Sequence, residues 1–218
     1  KLPERIFATG NVLTGGTSTA TGTVQSTPAV KGWQAVSTSG SPTMTGVSQV
    51  RFESFNWGAP KCALVDGINP AATYDGSTYT QITHAQAPTD PTLVAAFNNH
   101  LFLAGDASEP YNLYFSAPVA ETDFDPANGA GVINVGFKVV QIKAFRDQLF
   151  IFGTNNIKRL VGDNQANFVL QNVTNNVGCI APDSVAEFNG EIVFLAPDGL
   201  RPVSGTDRIG DIELATLS

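Results

Sequence analysis

The sequence predicts an all-β fold: a β-propeller-like array of four-stranded antiparallel blades that need not close within this chain, preceded by an N-terminal extended arm. Three stretches repeat one another, Phe97–Gly105, Phe145–Gly153 and Phe188–Ala196, each a hydrophobic strand, a polar tight turn and a second hydrophobic strand. Their roughly 45-residue spacing is on the scale of propeller blades and too long for most helical repeats. Only 14% of the 218 residues are charged, while Gly, Ser, Thr and Asn are abundant, which suits short strands joined by turns. The second strand of each unit, such as Leu149-Phe150-Ile151-Phe152, is apolar without alternation, as expected of a strand covered on both faces. The helical patterns that parallel crossovers require are missing between these runs, and a sandwich or barrel of the same hairpins is the competing architecture.

Residues 1–50 read as a Thr/Ser/Gly-rich arm or small β subdomain, and 51–218 as the propeller-like blade domain. Within the arm, Trp33-Gln34-Ala35-Val36 alternates, and Val47 to Phe55 reads as a strand with one apolar face. A first blade takes Lys61 to Val65, Ala72 to Tyr74 and Thr78 to Ile82. Its turns fall at Asp66-Gly67 and Asp75-Gly76, where Gly tolerates positive φ. The second takes Val94 to Phe97, Leu101 to Leu103, Asn112 to Ser116 and Val132 to Val135, with Pro118 to Gly131 as an exposed connection. The third takes Val139 to Phe145, Leu149 to Phe152, Ile157 to Val161 and Phe168 to Val173. The fourth takes Val185 to Phe188, Ile192 to Leu195, Leu200 to Val203 and Ile212 to Leu214. Phe97, Phe145 and Phe188 are expected at equivalent positions filling the space between blades. The chain opens at Lys1 and stops at Ser218 soon after Leu214, which reads as a fragment or a processed product.

Composition excludes several functions. With 19 acidic against 12 basic side chains the formal charge is −7, which argues against a nucleic-acid binder that must neutralise phosphates. Lys138, Lys143, Lys158 and Arg159 can still form a local positive patch in the third blade. Cys62 and Cys179 are too few and too far apart for a disulfide framework or a zinc site and read as buried, unpaired thiols. No run approaches the ~20 apolar residues of a membrane-spanning helix and no signal segment opens the chain, so it reads as soluble, with no membrane insertion.

No catalytic, cofactor-binding or metal constellation emerges, and the chain is expected not to be an enzyme. His84 and His100 have no partner in a ligand spacing, and His100 reads as a solvated turn residue. Glu121, Asp123 and Asp125 share a loop that can offer oxygen ligands to a divalent cation, but a solvated loop is the simpler reading. The Gly129-Ala130-Gly131 run lacks the third glycine and the helix of a nucleotide loop, and there is no Gly-x-Ser-x-Gly elbow. Trp57, Tyr74, Tyr79, Tyr111 and Tyr114 can stack on sugars or fill space between blades.

The order of features from Leu93 to Leu214 resembles the tail tubular protein B, or tail nozzle, family of short-tailed bacteriophages. The resemblance is carried by FNNHLFLAG at 97–105, NLYFSAPVAETDFDPANGAGVINVG at 112–136, IKAFRDQLFIFGTNNIKRLVG at 142–162 and NVGCIAPDSVAEFNGEIVFLAPDGLRPVSG at 176–205. It implies a structural virion protein, assembled in the host cytoplasm into a homo-oligomeric ring that contacts the tail adaptor and tail fibre or spike proteins. Propeller-like domains would form the tube wall, DNA would touch the lumen only in transit, and no cofactor is implied. The family's proteins are much longer than this chain. A carbohydrate-binding propeller is the alternative function, and a hydrolase using Asp123 and Asp125 the third.

Overall fold

The computed structural model describes residues 36–42, 44–46 and 49–204, together with the backbone of two short strands, β1 (Val12–Thr14) and β2 (Thr21–Thr23). The chain divides into units at 1–35 and 36–218. In the first, β1 and β2 pair antiparallel, Leu13 opposite Gly22. The second is all-β among its described residues, apart from single 3-10 turns at Pro126–Asn128 and Pro182–Ser184. The readings that fall on residues 33–35, on 47–48 and on Ile212 to Leu214 lie outside the described residues.

Sheet one is an antiparallel meander of β4 (Arg51–Asn56), β5 (Pro60–Val65), β6 (Ala72–Tyr74) and β7 (Thr78–Gln81). A fifth strand, β3 (Ser37–Ser39), joins its far edge parallel to β7. Sheet two is the meander β8 (Leu93–Phe97), β9 (His100–Ala104), β10 (Asn112–Phe115) and β11 (Gly131–Asn134). Sheet three repeats it with β12 (Gln141–Phe145), β13 (Gln148–Phe152), β14 (Ile157–Val161) and β15 (Val169–Thr174). Sheet four contains β16 (Ala186–Phe188), β17 (Glu191–Ala196) and β18 (Gly199–Pro202). None of the sheets closes on itself.

The three sequence repeats are three two-residue hairpins in one register. Phe97 stands opposite His100, Phe145 opposite Gln148 and Phe188 opposite Glu191. Asn98 and Asn99 both take positive φ, as do Asn189 and Gly190, the twist that two-residue turns require. In sheet one the turns are held by carboxylates. Asp66 accepts from the amides of Ile68 and Asn69, and Asp75 from those of Ser77 and Thr78.

Strand alternation divides each sheet into two faces, and each seam takes one face from either side. Ala63, Val65 and Phe55 of sheet one pack on Val94, Leu101 and Leu103 of sheet two. The opposite face of sheet two, with Leu93, Ala95, Phe97 and Phe102, packs on Ile142, Leu149, Ile151 and Leu160 of sheet three. Phe150, Phe152 and Ile157 then pack on Ile192, Phe194 and Ala196 of sheet four, with the Phe152 and Phe194 rings 5.4 Å apart. The unalternating β9 and β13 are thus covered on both faces. The closest approaches between sheets run through their first strands, β4 to β8 and β8 to β12.

One expectation fails here. Phe97 and Phe145 point toward the following sheet and Phe188 keeps the same side of its own sheet, but only Phe97 is buried. Phe145 is half-buried and Phe188 is 69% exposed. Phe188 shares its face with Val193 and Leu195, the side of sheet four turned away from sheet three.

Candidate functional site

The lead-in segments of the sheets converge on a basin of about 500 Å³ lined by Arg51, Leu93, Pro110, Lys138, Ile180 and Pro182, among others. Arg51 opens β4 and spans the site. Its Nε donates to Asp183 Oδ1 at 2.8 Å, Nη2 to Asp183 Oδ2 at 3.1 Å and Nη1 to the Thr92 carbonyl at 3.0 Å. Gln49 Nε2 adds a bond to Asp183 Oδ2 at 2.9 Å, and Gln141 Nε2 donates to the Pro182 carbonyl at 2.9 Å. The two-point fit of guanidinium on carboxylate ties the start of sheet one to the 3-10 turn before sheet four. Hydrogen bonding from Arg51 is the main reason the Asp183 carboxyl lies below the usual carboxylate range, ahead of the opposing effect of burial.

A second carboxylate organises the basin wall. Asp106, buried in the loop after β9, accepts from Ser108 N and Oγ, Thr89 N and Oγ, and Asp90 N. Burial alone would raise its pKa. The Ser108, Asp90 and Thr89 donors together outweigh that and lower it to about 2. Beside it, Gly105 takes a φ of +77°, and a Cβ there would lie 2.1 Å from Thr92 Oγ1, which itself donates to the Gly105 carbonyl. Glycine is therefore required for the wall to close on β8.

Below the basin, Glu53 of β4 accepts from the Ala96 amide of β8 at 3.3 Å, satisfying a donor on the open edge of that first strand. Burial raises the Glu53 pKa, moderated by the Ala96 bond and by the charge of Lys143 on β12. Arg51 and Glu53 thus cap neighbouring edge groups from the same face of β4.

Most residues singled out in the sequence turn out to be structural. His100 is not solvated: it is 0% exposed, its Nδ1 is 2.5 Å from the Ser116 carbonyl, and the rings of Phe102, Phe115 and Phe168 surround it. Its Nε2 has no hydrogen-bond partner. The signal was present in the strand period, since His100 shares its alternation with Phe102 and Ala104. The acidic loop is solvated in part: Asp123 and Asp125 are partly exposed and only Glu121 is buried. Glu121 is buried in an ion pair with Lys61 of sheet one. Asp123 accepts from the Asp125 amide and Asn128 Nδ2, and Asp125 caps the turn at Ala127. Among the described residues no group of His, Cys, Asp and Glu is arranged to hold a metal ion.

Of the cations expected to form a patch, Lys158 and Arg159 lie on opposite faces of sheet three. Lys158 faces sheet two, donating to the Val135 carbonyl near the Phe137 ring, while Arg159, the next residue along the strand, donates to Gln171 on the other face. Trp57 stacks on Phe55, and Tyr114 packs in the same cluster, whereas Tyr74 and Tyr79 line an open groove on the outer face of sheet one. Gly129 forms the left-handed cap of the Pro126–Asn128 turn. Cys62 and Cys179 are free thiols. The basin itself escaped the sequence reading, because Arg51 and Asp183 meet across 132 residues without any local motif.

No protein-family model matches the chain, and no curated protein matches it.

Proposed function

We propose that this chain is a structural component of a short bacteriophage tail, a nozzle or tail-tube element that forms part of the wall of the DNA channel. The observation that carries the reading is the sheet stack: four successive sheets joined face to face, three of them sharing one hairpin register, with the first strands of the first three adjoining. That is the order a propeller-like wall unit requires. Among the described residues the stack has two faces that no further sheet covers. One is the outer face of sheet one, with Phe52, Leu64 and Tyr74 around a groove of about 390 Å³; the other is the face of sheet four bearing Phe188 and Leu200. Unlike faces at the two ends of a stack favour head-to-tail association, which makes a ring where the rotation between copies closes. This supports a homo-oligomeric ring that meets tail adaptor and fibre or spike proteins, with assembly in the host cytoplasm before incorporation in the virion.

In this role the protein works by position and not by catalysis. DNA passes without tight binding, as the −7 charge favours. No helix among the described residues is long and apolar enough to cross a membrane. Negative-stain imaging of the purified protein tests the reading: ring particles are expected, and a strictly monomeric population at micromolar concentration contradicts it. The carbohydrate-binding alternative draws on the Tyr74 and Tyr79 groove, and specific capture on a glycan array would favour it.

A further inference from the structure

We propose that the basin is a docking site for an acidic peptide segment, and that Asp183 is an internal carboxylate that occupies its arginine until such a segment displaces it. The inference stands whether or not the chain belongs to a phage tail. Arg51 is fixed independently of Asp183, because Nη1 also donates to the Thr92 carbonyl and the stem leaves β4. The guanidinium therefore keeps its place at the mouth of the basin when the carboxylate departs. Asp183 is the movable half: its side chain is 60% exposed and it sits on a single 3-10 turn.

The remaining lining fits a carboxylate joined to an aliphatic body. Lys138 stands at the exposed rim and has no ion pair among the described residues, so release of Asp183 leaves two cations facing one cavity. Asp106, the other carboxylate in the wall, is turned to its own loop and saturated by the donors of Thr89, Asp90 and Ser108. Ile180 is 51% exposed, and with Pro110, Val140 and Pro182 it offers an apolar wall. The volume of about 500 Å³ admits a few side chains and excludes a folded domain or a duplex. Arg51 supplies the planar two-point recognition that carboxylates favour, and Lys138 a point charge beside it.

The test uses the full chain and a short capped peptide of alternating glutamate and leucine, with the glutamine-for-glutamate peptide as its control. Affinity is read by calorimetry at low ionic strength, and the site is located by amide chemical shifts. A clasp shut about nine-tenths of the time weakens apparent affinity about ten-fold, so Asp183→Ala is expected to bind the acidic peptide about ten times more tightly than the wild type. Shifts should centre on Lys138, Val140 and Ile180, and Lys138→Ala, at an exposed position, should weaken binding without loss of thermal stability. The proposal is overturned if Asp183→Ala shows no gain or no saturable binding, if the glutamine peptide binds equally well, or if the shifts fall elsewhere.

Discussion

At Asp106 the cost of burying a charge and the gain from hydrogen bonding can be separated by experiment. The folded-state pKa of about 2 lies below the ordinary carboxylate value, so the folded chain binds this proton less readily than the unfolded one. The stabilisation is therefore present above about pH 4 and is lost as pH falls toward 2, and it amounts to about 2 kcal/mol. Asp106→Asn is expected to lose about that much at pH 7, with the gap to the wild type closing below pH 4; urea denaturation across that range checks it. Glu53 has the opposite sign. Its raised pKa means that protonation favours the folded state, so its contribution is greatest below the ordinary glutamate value and is lost as pH rises through the folded value. Gly105→Ala adds a steric test without charge, since its Cβ would meet Thr92 Oγ1 in a left-handed backbone. It should destabilise the protein by about 1–3 kcal/mol.

At the scale of strands and hairpins, what matters is which seam a side chain enters. Phe152 is fully buried against Phe194, so Phe152→Ala should cost about 3–5 kcal/mol, while Phe188→Ala on the uncovered face should change the denaturation midpoint little. Equal losses in the two variants would mean that Phe188 is covered in solution. Most strands were legible in the sequence because turn chemistry and hydrophobic runs are local: Asn98-Asn99, Asp75-Gly76 and Asn189-Gly190 all mark hairpins at the expected places. Burial was less legible, since it depends on whether a further sheet follows, as Phe188 shows. His100 was misread because a polar residue beside two asparagines looks like a turn, although the alternation of β9 directs it into the seam. The basin was illegible for a different reason. Arg51, Asp106, Lys138 and Asp183 come from four separated segments, and their joint chemistry exists only once three apolar seams have brought those segments together.

For the molecule as a whole, the decisive property is the sign and spread of its charge. Acidic side chains outnumber basic ones by 19 to 12, and much of the basic complement is occupied in holding the sheets together. Lys61 pairs with Glu121 and Arg51 with Asp183 across sheets, Lys158 donates to a carbonyl of the adjacent sheet and Arg146 to Gly190, while Arg201 pairs with Asp198 within the β17–β18 hairpin. The proposed role as a conduit wall would benefit from this, because a strand held by phosphate contacts would slow in transit. The proposed acidic-peptide site does not conflict with weak DNA adhesion: a basin of about 500 Å³ cannot admit a duplex, and the net negative charge repels a polyanion. Fluorescence anisotropy with short duplex DNA should therefore show no saturable binding even at low ionic strength, where screening is weakest. Micromolar binding that falls steeply with added salt would reveal phosphate neutralisation by a continuous basic surface, and would overturn the proposed passive wall in favour of an active DNA contact.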